Sequence, residues 1–252
     1  MSSNTVVLIT GASRGMGFGL SRVFLLRPRT TVIAGVRDPE SLTSKDLTNL
    51  PKGEYSKLIV VKIDSTSDVD AGTAVAQLKS SENISHLDIV VANAGLSIAI
   101  GPLAEVKPSQ VAELIDVNAL GPLRLAQATL PLLAKSPGRP RFVLLGSMQG
   151  STGGMEKYPL PMGAYGASKA AAHFLIRKLH FEHAKEGICI FAVDPGFVQT
   201  EMGNEGAKIF GLDEAIIRID DAVKFVVDQI DSATREKTSG SFPCINGGET
   251  EW

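Results

Sequence analysis

The chain has 252 residues, of which 44% are hydrophobic and 21% charged, the composition of a folded globular protein and not of a disordered or low-complexity one. Twenty-five Lys and Arg against 27 Asp and Glu leave a net charge of -2, which argues against a nucleic-acid or anionic-membrane surface as its main business. No basic-then-apolar leader opens the sequence, and no window holds the roughly 18 uninterrupted apolar residues of a membrane span. A cytoplasmic protein is therefore expected, with no membrane span and no nucleic-acid partner.

In chain order, short apolar, β-branched runs at 5–10, 31–36, 58–63, 87–92, 141–146, 188–193 and 241–245 read as strands. Helical spacing occupies 16–26, 68–80, 109–133, 164–186 and 220–230. The strand runs are nearly continuously hydrophobic, as both-sides burial of a parallel sheet requires, so a doubly wound α/β architecture is predicted. No linker rich in Pro, Ser or Gly divides the chain, which points to one domain over 1–252. Cys189 and Cys244 lie in two of the strand runs and are expected to be reduced thiols. Stretches 148–163 and 197–213 are too long for simple connections and follow strand ends, the place where open α/β sheets bind ligands.

After the first strand run comes Thr10-Gly11-Ala12-Ser13-Arg14-Gly15-Met16-Gly17-Phe18-Gly19, leading into a helix. Glycines here let the backbone turn sharply and approach a pyrophosphate, whose charge is favoured by free amides and a helix N-terminus. There is no Gly-Lys-Ser/Thr ending, which disfavours a nucleoside-triphosphate loop.

The spacing is Thr-Gly-x-x-x-Gly-x-Gly, and with it the sequence resembles the short-chain dehydrogenase/reductase family over practically its entire length. Further matches follow in order: Asn93-Ala94-Gly95, Asn118 in a long helix, Ser147 after the fifth strand run, Tyr165-Gly166-Ala167-Ser168-Lys169, and Asp194-Pro195-Gly196. The resemblance implies a single-domain Rossmann fold with a doubly wound, parallel, seven-stranded sheet and helices on both faces. It also implies a nicotinamide cofactor bound by Gly11, Ser13, Arg14, Gly15, Met16, Gly17, Asn93, Ala94, Gly95, Pro195, Gly196, Val198 and Thr200. Thr200 reads equally as a helix N-cap. Asp64, at the end of the third strand run, resembles the family residue that touches the adenine, or else simply starts a turn.

An NAD enzyme places an acid at the end of the second strand; here Val36 stands there and Arg37 follows. A guanidinium grips phosphate, and Arg14 resembles the second basic residue of NADP-preferring members, so NADP(H) is the expected cofactor unless both arginines merely face solvent. Asp38 reads as the cap of the next turn.

Tyr165 and Lys169, four apart, lie on one face of a helix. Reduction of a ketone builds charge on its oxygen, and a nearby acid must supply a proton. Tyrosine, with a free pKa of about 10, serves better when a cation such as Lys169 lowers that value. By resemblance Lys169 also holds the nicotinamide ribose, Ser147 bonds the carbonyl oxygen, and Asn118 steadies a water, so the catalytic set is Asn118, Ser147, Tyr165 and Lys169.

Met148, Met155, Tyr158, Met162, Phe197, Met202 and Phe210 either line a broad apolar pocket or pack the loops on the core. A small-molecule ketone or secondary alcohol, bulky and uncharged, fits best. Within the family the chain resembles carbonyl reductases of the sniffer-like and C-factor-like branch, and fungal ketoreductases of the norsolorinic acid type that act on aromatic polyketides. A non-catalytic NADP-binding regulator and an alcohol dehydrogenase running in the oxidative direction are the competing readings. A homodimer or homotetramer through 109–133 and 164–186 is implied. The four histidines show no metal spacing, and His173 and His180 read as surface or interface features of one helix.

Overall fold

The computed structural model describes residues 4–157 and 159–252. Its elements run β1 (Thr5–Thr10), α1 (Gly15–Leu25), β2 (Thr30–Val36), α2 (Leu42–Asp46), β3 (Lys57–Lys62), α3 (Asp70–Ser81), β4 (Ile89–Ala92), α4 (Pro108–Ile115), α5 (Gly121–Leu133), β5 (Arg141–Leu145), α6 (Gly163–Glu182), β6 (Cys189–Val193), α7 (Glu201–Ile209), α8 (Ile219–Ser232) and α9 (Arg235–Thr238). The six strands form one parallel sheet in the order β3-β2-β1-β4-β5-β6. The order reverses between β1 and β4, and that switch point opens a crevice beyond the strands' carboxyl ends.

Alternate strand residues feed two apolar layers, which is why the strands read as unbroken hydrophobic runs. Val6, Leu8, Ile33, Val90, Phe142 and Ile190 face α3, α5 and α6 through Leu78, Leu125, Leu130, Ala172 and Ile176. Val7, Ile9, Val32, Val91, Val143 and Phe191 face α1 and α8 through Leu20, Phe24, Val223, Val226 and Ile230. α1 and α8 meet closely: a Cβ on Gly19 would stand 2.6 Å from Val223 Cγ2. Both cysteines are buried free thiols. Among the described residues no helix is long and apolar enough to cross a membrane.

Three sequence expectations need correction. The predicted seventh strand, 241–245, does run parallel beside β6, with the Ala192 N–H bonded to the Ser241 carbonyl (3.2 Å), Asp194 to Pro243 (2.9 Å) and Ile245 back to Asp194 (3.1 Å). It forms only isolated bridges, such as Asp194 to Cys244, and the sheet has six strands. Pro243 has no N–H to offer the Ala192 carbonyl, so the ladder breaks where a regular strand would continue it.

The predicted helix 109–133 is interrupted by a π-turn, Asp116–Leu120. Pro122 lacks the N–H that a regular helix would bring to the Asn118 carbonyl, and the turn widens there, a feature common at functional sites. The stretch 197–213, read as a loop, contains α7. Gly203 and Gly206 make it a poor helix on propensity, yet Thr200 caps it by accepting from the Gly203 N–H at 3.1 Å. Gly203 also lies so close to the Val198 carbonyl that a Cβ would sit 2.0 Å from its oxygen.

Candidate active site

The turn after β1 is shaped by glycines with different tasks. Gly11 (φ +64) and Gly15 (φ +54) adopt the left-handed conformation that disfavours a side chain. Gly17 instead answers to crowding, because a Cβ there would fall 2.2 Å from the Gly11 oxygen and 2.6 Å from Asn93 Nδ2. Asn93 Nδ2 donates to the carbonyls of Thr10 (2.8 Å) and Gly11 (3.2 Å), and the Thr10 hydroxyl accepts from the Asn93 and Ala94 amides, so β1 and β4 end as one unit. α1 begins at Gly15 with no acid in its first turn and no side-chain cap from Arg14, leaving its first amides open to an anion. Ser13 is half-buried at the same turn, and Thr200 lies beside Gly15. The Met16 side chain belongs to the core, so only its main chain can face a ligand.

At the end of β2, Arg37 is exposed and, among the described residues, without a partner, while Asp38 accepts from the Glu40 N–H and receives the Ser41 and Ser44 hydroxyls on its carbonyl. Asp38 is thus the cap it was expected to be. Arg14 pairs with Glu201 at the start of α7, and both are well exposed. Asp64 holds its own turn through the Thr66 N–H and hydroxyl, both 2.9 Å from Oδ1, and also lines a narrow cleft with Thr10, Ser65, Ala94 and Arg124.

The four expected catalytic residues converge beyond β4 and β5. Lys169 is buried and its Nζ donates to the Leu145 carbonyl at 2.8 Å, 5.7 Å from the Tyr165 ring centre. Asn118 is buried; its Oδ1 accepts from the Leu96 N–H, and Nδ2 donates to the Leu96 carbonyl (2.8 Å) and Ser168 Oγ (2.9 Å), tying the β4 loop to α6. Gly95 fits between, its would-be Cβ 3.3 Å from Asn118 Oδ1 and 3.9 Å from Lys169 Nζ.

Burial pushes the Tyr165 phenol up to about 12; a hydrogen bond from Ser147 opposes this and the Asp194 carboxylate adds to it. The expectation that Lys169 lowers the tyrosine is not what this geometry gives, because the ammonium is turned toward the Leu145 carbonyl. Burial likewise lowers Lys169 to about 8, against the attraction of Asp194. Asp194 is itself buried, raised by desolvation, and accepts the amides of Met148 (3.0 Å) and Gly196 (2.9 Å). It joins the loops after β5 and β6, and through the Gly196 amide it fixes the turn at Pro195 and Gly196 (φ +77) that leads to Val198.

His173 departs most from expectation. It is no surface residue: it is 2% exposed, packs against Phe242 and Trp252, and accepts the Ser147 main-chain N–H on Nε2 at 3.3 Å. Its one available signal was register, four residues past Lys169 on the same helical face. His180 is half-buried, its Nδ1 2.7 Å from Ser239 Oγ. Of the proposed apolar lining, Met148, Met162, Phe197 and Phe210 are half-buried, Met155 and Met202 are exposed, and Tyr158 lies outside the described residues.

Residues 5–208 match the family model for short chain dehydrogenases. The chain is 44% identical to the norsolorinic acid ketoreductase nor1 of Dothistroma septosporum, over 96% of this chain and 90% of that protein. It is 39% identical to the norsolorinic acid ketoreductase of Aspergillus parasiticus, over 98% and 91%. Among solved structures it superposes on the carbonyl reductase Sniffer of D. melanogaster with a TM-score of 0.84, 25% identity and full coverage of both chains. An NADPH-bound carbonyl reductase from chicken fatty liver shares the fold at the same TM-score and 24% identity, over all of both chains. The chain therefore belongs to the short-chain dehydrogenase/reductase family and is an oxidoreductase acting on C=O and CH–OH groups.

Proposed function

We propose that this protein is an NADPH-dependent ketoreductase that reduces the carbonyl of a bulky, uncharged aromatic ketone of the polyketide kind, using one domain over 1–252. The observation that carries this reading is the convergence of Ser147, Tyr165 and Lys169 at the carboxyl ends of β4 and β5, beside a glycine turn built for phosphate. The turn fits a dinucleotide: its left-handed glycines and open α1 amides suit a pyrophosphate, and Arg37, unpaired at the end of β2, suits a 2'-phosphate. A bound nicotinamide supplies the hydride that the carbonyl carbon receives.

The chain's own residues do the rest. Held near 12, Tyr165 stays protonated at neutral pH and gives its phenolic proton to the carbonyl oxygen as charge grows there. Ser147 donates a hydrogen bond to the same oxygen and favours the tyrosinate that remains, while Lys169, anchored on the Leu145 carbonyl, would hold the nicotinamide ribose. Asn118 fixes the wall behind them, its main-chain carbonyl relieved of a helical donor by Pro122. The two substrate walls are 148–163 and the α7 region, whose methionines and Phe197 adapt to a flat apolar ligand. The names of the 44% and 39% identical relatives support the polyketide class. Self-association through α5 and α6 completes the proposal; Phe174 and Phe181 stand exposed on α6.

A panel of aromatic polyketide ketones, quinones and simple aldehydes, followed by NADPH absorbance, tests this. Bulky aromatic ketones are expected to turn over best, and Tyr165→Phe to lower kcat by about 10²–10⁴-fold while still binding cofactor. Near-normal turnover by a folded, cofactor-binding Tyr165→Phe protein would sink the mechanism.

A further inference from the structure

We propose that His173 is a positioning residue for Ser147: its neutral imidazole accepts the serine's main-chain N–H and fixes that loop to the same helix that carries Tyr165 and Lys169. The inference rests on the functional reading above and names a component that reading does not contain. Residues 165, 169 and 173 recur every four positions along α6, so tyrosine, lysine and histidine share one face. The third of them reaches across to the end of β5.

The contact is built into both partners. An amide N–H can only donate, so Nε2 must present its lone pair and the ring proton must sit on Nδ1. Nδ1 is buried without a hydrogen-bond partner of good geometry, a cost borne by the ring in this orientation. Gly146, immediately before the serine, leaves room for the approach: a Cβ there would lie 2.9 Å from His173 Nε2 and 2.6 Å from Phe242 Cε2. Phe242, with its ring centre at 4.5 Å, and Trp252, at 6.0 Å, seal the imidazole from the other side.

Burial, with Lys169 as the charged neighbour acting on it, keeps the ring neutral. Lys169 precedes it by one turn, and Arg177, one turn beyond, lies over Trp252 with its guanidinium carbon 5.1 Å from the ring centre. Burial and Lys169 push His173 down to about 3, with the Gly150 main chain opposing in part. Among the described residues no carboxylate acts on it that would favour the imidazolium.

Ser147 is thereby held at its amide by His173, while Asp194 Oδ2 holds the next amide, of Met148. The serine hydroxyl accepts from the Gln149 N–H at 3.3 Å and favours the ionised form of the Tyr165 phenol, lowering its pKa. The groups acting on that phenol are Ser147 and Asp194, with Lys169 beneath its ring. If the serine swings away, Tyr165 loses the one interaction that favours its ionised form, and oxidation of an alcohol, which needs the tyrosinate, requires a higher pH.

The test compares His173→Phe, which keeps ring packing and removes the acceptor, with His173→Gln, whose amide oxygen can reach the Nε2 position. Probes are 1-tetralone reduction with NADPH and 1-tetralol oxidation with NADP+, and NADPH affinity is measured by fluorescence. His173→Phe is expected to lower kcat about ten- to a hundredfold with NADPH affinity unchanged. In the same variant the acidic limb of the alcohol-oxidation profile should move up by about one pH unit, and His173→Gln should restore most of both. Should His173→Phe fail to fold, His173→Met serves the same comparison. Normal turnover without the acceptor, a loss that Gln does not repair, or an unmoved acidic limb each overturns the inference. Tyr165→Phe runs in parallel: if it is inactive while His173→Phe is normal, only the positioning role fails, whereas an active Tyr165→Phe defeats the functional reading itself.

Discussion

The proposed cofactor side and the proposed catalytic side of the site are made by different means. Around Gly11, Gly15 and Gly17 the working surface is main chain, shaped by conformations and distances that leave no room for a Cβ. Around Ser147, Tyr165 and Lys169 it is side chain, set by helical register on α6 and tuned by burial. The first region should therefore fail by steric insult and tolerate changes of charge, and the second should do the reverse.

Gly17→Ala strikes the cradle hardest, since its Cβ would meet the Gly11 oxygen at 2.2 Å. A strain of about 3 kcal/mol is expected, read as NADPH binding weakened roughly a hundredfold or as an equivalent loss of stability. Gly15→Ala makes the contrast within the cradle: it is strained by its φ of +54 but meets nothing closer than Thr200 Cγ2 at 3.4 Å.

The catalytic side breaks through charge. Lys169 is cationic below about 8 and neutral above it, so the ammonium proposed to hold the nicotinamide ribose is present at lower pH and is lost as pH rises through that value. The kcat/KM for ketone reduction should be level well below pH 8 and decline above it by up to about tenfold per unit. Lys169→Met should be slow throughout and lack that limb.

Arg37→Asp sharpens the comparison at the outer edge of the cradle, where side-chain charge does matter. Preference for NADPH over NADH should fall by roughly tenfold or more. Arg14→Gln should change it less, because that guanidinium is shared with Glu201 in an exposed pair. The smallest expected effect is Thr200→Ala, which removes the α7 cap for about 1 kcal/mol, a drop in Tm of about 2–4 °C.

Whatever depended on local pattern was readable from the sequence. The six strands of the sheet are continuous apolar runs, and the glycine turn and the Tyr165–Lys169 spacing announce themselves in short windows. What escaped is set by distant contacts or by a missing donor. Pro243 was visible but its effect needed the register against β6, and the π-turn was foreshadowed only by Pro122. α7 hides behind two glycines and stands on the Thr200 cap. The burial of His173 depends on Phe242 and Trp252, which no helical periodicity within α6 can report. Among the site residues named from resemblance, Met16 turns its side chain to the core, Arg14 is engaged with Glu201, and Thr200 caps a helix as well as facing the glycine turn.

The packing of α1 on α8 bears on the order in which the molecule assembles. Gly19 nests on Val223, and Arg22 and Arg27 pair with Asp220 and Asp231, partners 198 and 204 residues away. The helix that opens the phosphate cradle thus finds its covering partner only after a very long loop has closed, a slow event in a chain of this size. A nascent or refolding chain can hold β1 and β2 together well before α1 is seated. Cofactor binding should accordingly appear late in refolding, after most helical signal has formed, and a cofactor already in solution would capture the docked state and draw the equilibrium toward it.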